Sequence, residues 1–271
     1  LSFVWSAEQI KRYFAYYEGI NTRNTYNYLT FETTREFARS VLPPCFEVCD
    51  KPEISISSMA FMEVIDGRTN RHGRDRAGIV SINARYGDRV GSYYLSVIEE
   101  EEVNIATGRE FWGMAKKQGV VDTFDDGRTL WSFVERKGHR LIEIEAELGP
   151  ELGEQEAAID YYFELRGYFG PNGRSLSGVQ VVVFEINTKT NRFRELNDPH
   201  VALAGSDVDP GIGTIPLGAF VGGGATGGEL SATLAAVDPL DDDGNDYAPY
   251  LLARFYDDWP DYRDDSNRRS N

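Results

Sequence analysis

The residues best suited to chemistry lie in one short segment, GREFWGMAKKQG, residues 108–119. The chain has only six lysines among its 28 lysines and arginines, and two of them, Lys116 and Lys117, are adjacent. A lysine becomes a nucleophile when its amine is neutral, and an ordinary one, with a pKa of about 10.4, is almost fully protonated at neutral pH. Desolvation among apolar groups and a cationic neighbour both favour the neutral form. This stretch offers both: Phe111, Trp112 and Met114 precede the pair, and each lysine stands beside the other. A lysine doublet on a surface loop would have the same spacing and no chemistry, so spacing alone leaves both readings open.

Other candidate chemistries find weaker support. The histidines, His72, His139 and His200, are far apart and form neither H-x-H nor H-E-x-x-H, so no metal site is expected. The nucleophile elbow G-x-S-x-G is absent from the sequence. The glycine-rich segment 211–228 (GIGTIPLGAFVGGGATGG) lacks the lysine of a phosphate loop and the βαβ frame of a dinucleotide site, and reads as a flexible loop. DDDGND, 241–246, lacks the spacing of a calcium loop and reads as an acidic turn. Cys45 and Cys49, spaced C-x-x-x-C, read as free thiols. No cofactor is called for.

Composition narrows the partners. The formal charge of −16 disfavours nucleic acid and anionic membranes, leaving a small molecule as the expected ligand. Acidic residues concentrate at 99–102, 143–156 and 238–265, and these runs read as solvated surface. Distant negative charge does not help a lysine lose its proton, so any activation has to be local. A hydrophobic content of 41% and an aromatic content of 13% fit a globular protein. No apolar run approaches a membrane span and no signal-peptide pattern is present, so a cytoplasmic location is expected.

The elements that must position the lysines follow from periodicity. Ser6 and Gln9 form a capping-box pattern ahead of Ile10, Phe14 and Tyr17 on one helical face. A second helix is expected from Thr33 to Leu42, capped by Thr33 and Glu36 and stopped by Pro43-Pro44. From residue 54 the period changes to two. Strands are expected at 54–65, 78–86, 90–98, 129–136, 141–148, 159–169, 178–186 and 250–256. In LIEIEAEL (141–148), Ile142, Ile144, Ala146 and Leu148 should face the core while the glutamates face water. Many strands and few helices indicate an α+β protein with a largely antiparallel sheet folded on itself. Residues 1–258 read as one domain, with 259–271 a polar tail.

With these elements in place, GREFWGMAKK resembles the signature of the acetoacetate decarboxylase superfamily: G-R-E, an aromatic and a small residue, then K-K. The spacing from the G-x-Y strand at Gly91 to Gly108-Arg109-Glu110, the helix ending at Pro43, the strand at 159–169 and the closing segment 248–256 also fit. The resemblance implies a strongly bent, mostly antiparallel sheet forming a cone-like β-barrel with a few flanking helices, in a homo-oligomer. It implies that Lys116 forms a Schiff base with a substrate carbonyl and that Lys117 is the neighbour that lowers its pKa. That activation is itself known from acetoacetate decarboxylase, so here it rests on the resemblance. Arg109, Glu110, Trp112 and Met114 are carried over as pocket residues.

Departures from the signature bear on the substrate. Where the decarboxylase has a carboxylate-binding arginine, this chain aligns Glu32. The family's pocket glutamates fall near Ser57 or Ser58 and near Ser81 to Asn83, and the proline before the lysines is Ala115. The resemblance therefore implies a lysine-imine lyase of aldolase, dehydratase or decarboxylase type, acting on a small or natural-product carbonyl compound. A β-keto acid decarboxylase proper and a protein that binds a bulky apolar ligand without an imine are the alternatives.

Overall fold

The computed structural model describes residues 3–17, 19–65, 67–240 and 246–257. Most of the DDDGND segment and the tail 259–271 lie outside the described residues.

The chain opens with helix α1 (Ala7–Tyr17), strand β1 (Gly19–Glu32), helix α2 (Arg35–Val41) and the short β2 (Glu47–Val48). Three long strands follow, β3 (Glu53–Ile65), β4 (Arg68–Tyr86) and β5 (Arg89–Glu99). Helix α3 (Glu102–Thr107) runs into a π-helical turn, Gly108–Trp112, and then the short β6 (Lys116–Gln118). Strands β7 (Val120–Asp125), β8 (Thr129–Arg136), β9 (His139–Glu151), β10 (Ala158–Phe169) and β11 (Leu176–Leu203) come next. A 3-10 turn, Pro210–Thr214, leads to β12 (Phe220–Pro239) and helix α4 (Ala248–Phe255).

Seven strands close into a ring. The order β10-β5-β4-β3-β1-β12-β11 returns on itself because β11 also pairs with β10. All pairings are antiparallel except β5 with β10 and β5 with β6. The expected α+β architecture, a strongly bent and mostly antiparallel sheet, is thus what the chain adopts. The second half of β11 leaves the ring to pair with β9, and β9, β8 and β7 continue the sheet. The main core lies between the ring's outer wall and this extension. Leu29, Ile54, Ile56, Val80 and Ile82 from the wall belong to one buried cluster with Leu130, Val134, Ile142 and Ile144. In β9 the alternation is as expected, with Ile142, Ile144 and Ala146 buried and Glu145 and Glu147 exposed. Both cysteines are free thiols.

Ser6 and Gln9 make the reciprocal capping box, at 2.9 and 3.2 Å. The cap of α2 is Thr34, whose hydroxyl accepts from the Phe37 amide at 3.0 Å, one residue later than expected.

Two expectations are corrected, and one element is added. Residues 250–255 fall in α4, with Tyr256 its C-cap, and not in a strand: Leu251 and Arg254, three apart, are its buried face. The glycine-rich stretch is a loop only in its first half: residues 211–219 are a 3-10 turn and irregular chain, whereas residues 220–228 lie in β12. Its glycines permit close strand approach; a Cβ on Gly228 would lie 2.0 Å from the Lys189 carbonyl oxygen. Strand β1 was not signalled by periodicity. Its alternate residues Thr22, Asn24, Tyr26, Tyr28 and Thr30 face a cavity, so a half-polar face stands where an apolar one is usual.

Candidate functional site

The ring encloses a cavity of about 690 Å³. Lys116 reaches it because α3 and the π-helical turn return the chain alongside β5. Strand β6 then pairs Lys116 with Val97 and Lys117 with Ile98. Side chains alternate along a strand, so the two lysines point to opposite faces. Lys116 lines the cavity. Its aliphatic stem lies over Gly108, where a Cβ would come 2.5 Å from Cδ and Cε. The glycine of G-R-E is therefore the gap through which the lysine passes.

The Lys116 Nζ donates to Glu99 Oε1 at 2.9 Å and lies 2.8 Å from Oε2. It also donates to the Asn104 carbonyl at 3.3 Å. Glu99 is only 2% exposed. Burial pushes its carboxyl pKa up, opposed by the charge of Lys116. This corrects the reading of 99–102 as wholly solvated: β5 runs to Glu99, and the strand period turns that side chain inward beside Val97. Asp75 braces the arrangement. Its carboxylate accepts from the Glu100 and Glu101 amides at 3.2 and 3.1 Å and from Asn104 Nδ2 at 2.9 Å.

Lys117 is not the direct neighbour of the Lys116 amine. Its Nζ bonds Asp209 Oδ1 at 2.8 Å and the Tyr256 carbonyl at 3.0 Å. Arg136 Nη1 holds the other Asp209 oxygen at 2.5 Å, so Lys117 belongs to an ion-pair cluster behind the cavity wall. The cause is the strand alternation itself.

The remaining candidates divide. Trp112 and Met114 line the cavity, and Trp112 stacks on Phe184 with centroids 4.5 Å apart. Asn83 also lines it, accepting from the Glu53 amide at 2.9 Å and donating to the Lys51 carbonyl at 2.8 Å. Arg109 instead lies over the rings of Phe255 and Tyr256, at 5.2 and 5.3 Å. Glu110 is exposed on the π-helical turn. Ser58 is buried between strands, bonded by Asn27 and Thr123 at 3.3 Å each, while Ser55 lines the cavity in its stead. Glu32 is exposed and does not line the cavity; its carbonyl accepts from the Gly218 amide at 2.7 Å.

Sequence reasoning missed Glu99, Asn104, the cavity tyrosines and Asp160. Tyr94 and Tyr162 sit 4.9 Å apart, and Tyr26 stacks on Tyr28 at 5.6 Å. Tyr26 and Tyr162 approach each other across the lumen closely enough to interact electrostatically, since β1 and β10 stand on opposite sides of the ring. Asp160 lines the cavity in the same face of β10 as Tyr162. Among the described residues no arginine lines this cavity. No group of three or more potential metal ligands is found among them either.

A bent sheet closed into a ring around a cavity with a lysine on its wall defines the class. The chain belongs to the acetoacetate decarboxylase family, whose profile matches residues 7–171. Its fold is similar to that of acetoacetate decarboxylase from Legionella pneumophila subsp. pneumophila str. Philadelphia 1, with a TM-score of 0.70 and 15% identity over 83% of this chain and 88% of that one. An acetoacetate decarboxylase-like enzyme from Sphingomonas wittichii RW1 superposes with a TM-score of 0.65 and 14% identity, covering 83% and 93%. The enduracididine biosynthesis enzyme MppR, complexed with the condensation product of pyruvate and imidazole 4-carboxaldehyde, gives 0.63 and 12%, covering 82% and 88%. At these identities the likeness is one of fold. No curated protein matches the chain in sequence. Among the described residues no helix is long and apolar enough to cross a membrane.

Proposed function

We propose that the protein is a lyase that forms an imine between Lys116 and a carbonyl compound bound in the ring's cavity. The observation that carries this reading is the Lys116 amine on the cavity wall, 2.8 Å from the buried carboxylate of Glu99. A carboxylate with a raised proton affinity is a base placed on the ammonium. Glu99 takes a proton from Lys116, and the freed amine adds to the carbonyl carbon as the C=O electron pair moves to oxygen. One amine proton passes to that oxygen, giving a neutral carbinolamine. Glu99 then returns its proton to the hydroxyl, which leaves as water and yields the protonated imine. The net change is ammonium plus carbonyl to iminium plus water. The iminium withdraws electrons from the neighbouring carbon, so a bond to that carbon can be made or broken, as in aldol, dehydration or decarboxylation steps.

The cavity disfavours a β-keto acid. With no arginine among its described lining residues, and with the lining lysines Lys116 and Lys189 outnumbered by Glu53, Glu63, Glu99, Glu156, Asp160 and Glu229, a substrate carboxylate finds no matched bidentate clamp. Carbon–carbon or carbon–oxygen cleavage on a carbonyl compound without a free carboxylate fits better. The Lys116–Glu99 ion pair favours one second reading, in which the ammonium keeps its proton and the cavity binds its ligand without covalent capture.

Borohydride reduction in the presence of simple ketones and aldehydes, followed by intact-mass and peptide mapping, tests the proposal. The expected result is a reduced adduct on Lys116, absent from Lys116→Met. Saturating ligand binding with no adduct on Lys116 would establish the second reading.

A further inference from the structure

Asp160 faces the cavity and, among the described residues, no salt bridge or hydrogen bond joins its side chain to a partner. The aromatic groups around it are hydroxyl-bearing rings: Tyr162 two residues along the same face, and Tyr26 and Tyr28 from the opposite side of the ring, all close enough to feel its charge. The Asp160 side chain is open to solvent within the cavity, and desolvation by the surrounding wall, with no cation opposing it, raises its pKa. Lys116 cannot be that cation, for its amine is taken by Glu99 and the Asn104 carbonyl. A carboxylate without a cationic partner, in a cavity that several tyrosines also line, offers an organic cation both charge pairing and aromatic rings for cation–π attraction. The lining thus has two chemically distinct parts: an amine that can meet a carbonyl, and an anionic aromatic wall around Asp160.

We infer that the substrate is a carbonyl compound that also carries an organic cation, such as an ammonium or guanidinium group, seated by Asp160 and the tyrosines Tyr26, Tyr28 and Tyr162. This rests on the proposed use of the cavity and names the class of substrate it takes. Two demands on one molecule follow, a carbonyl at Lys116 and a positive charge at Asp160. Ketones lacking the charge meet only the first.

A matched pair of probes tests this: 5-(trimethylammonio)pentan-2-one and its uncharged carbon isostere 6,6-dimethylheptan-2-one. They differ in one atom and its charge, and neither charge state changes with pH. The measurements are the rate of borohydride-trapped adduct on Lys116 and the shift in melting temperature without borohydride. The cationic ketone is expected to be captured about tenfold faster at equal sub-saturating concentration. Asp160→Asn should bring that ratio close to one, and Asp160→Glu should restore part of it, which separates loss of charge from misfolding. Equal capture of both ketones by the unaltered protein, or a preference kept in Asp160→Asn, overturns the inference and leaves the imine reading standing. Stabilisation by the cationic ketone alone, dependent on Asp160 but without any adduct, supports the cation site and overturns the imine reading. No capture and no stabilisation by either ketone overturns the cation site.

Discussion

Glu99 and Lys116 face each other from adjacent parallel strands, with carboxylate and ammonium 2.8 Å apart and side-chain exposures of 3% and 12%. Their proximity follows from chain path. Strand β5 ends at Glu99, and sixteen intervening residues, including α3 and the π-helical turn, bring the chain back beside the strand it has just left. In the proposed reaction the lysine's partner is thus a buried carboxylate from the preceding strand, while the adjacent lysine points elsewhere. Replacing Glu99 by Gln keeps the shape and removes the base. Adduct formation on Lys116 should slow by about a hundredfold or more, within the range for lost general-base catalysis. Stopped-time trapping with a simple ketone measures this, and an unchanged rate would remove Glu99 from the reaction.

Lys117 makes the opposite prediction. Its ammonium is buried against Asp209 and caps the Tyr256 carbonyl at the end of α4. Lys117→Met should cost roughly 1.5–3 kcal/mol of stability, the range for a lost hydrogen bond to a charged group. Chemical denaturation reads that loss. The pH midpoint for trapping on Lys116 should not move, because Lys117 does not reach the cavity. A downward or upward shift of that midpoint would give back to Lys117 the role implied by the family signature.

These two residues also show how far the sequence could be read. The lysine doublet, the G-R-E frame and the strand periods of β3, β5, β8 and β10 were legible, since each has a local pattern. The division of labour between Lys116 and Lys117 was legible in principle, because consecutive strand residues face opposite ways, but it required knowing that β6 is a strand of only three residues. Glu99 was hidden inside an acidic run whose other members are solvent-facing or lie on α3. Strand β1 was obscured because its inward face is polar and aromatic, lining a cavity rather than a core. Asp160 and the tyrosines came together only through ring closure, which pairs β10 with β5 and β11 across large sequence separations.

Gly108 offers a geometric test. Adding a methyl group would place a Cβ 2.5 Å from two carbons of the Lys116 stem and 2.9 Å from Nζ. The lysine would have to swing off Glu99. Gly108→Ala should therefore lower the trapping rate by about a hundredfold, the penalty for a displacement of roughly 1 Å at a reacting group. A native circular dichroism spectrum and melting profile would locate the loss in the side chain. Full activity in this variant would mean that Lys116 reacts from another position.

The last prediction concerns pH and lies behind the cavity. Glu164 is fully buried and pairs with Arg254 at 2.9 Å, which ties α4 to β10. Burial outweighs the arginine and raises the Glu164 pKa from 4.5 to about 8. Between these values the folded protein holds a proton that the unfolded chain has released. Stability from this group is thus complete below about pH 4.5 and falls as pH rises to about 8, levelling off beyond. Glu164→Gln resembles the protonated form and cannot ionise. Its stability should stay close to that of the unaltered protein near pH 5 and exceed it increasingly toward pH 9. Urea denaturation of both proteins across that range measures the difference, and parallel curves would show that Glu164 is already ionised in the folded state at pH 5, held as an ion pair by Arg254.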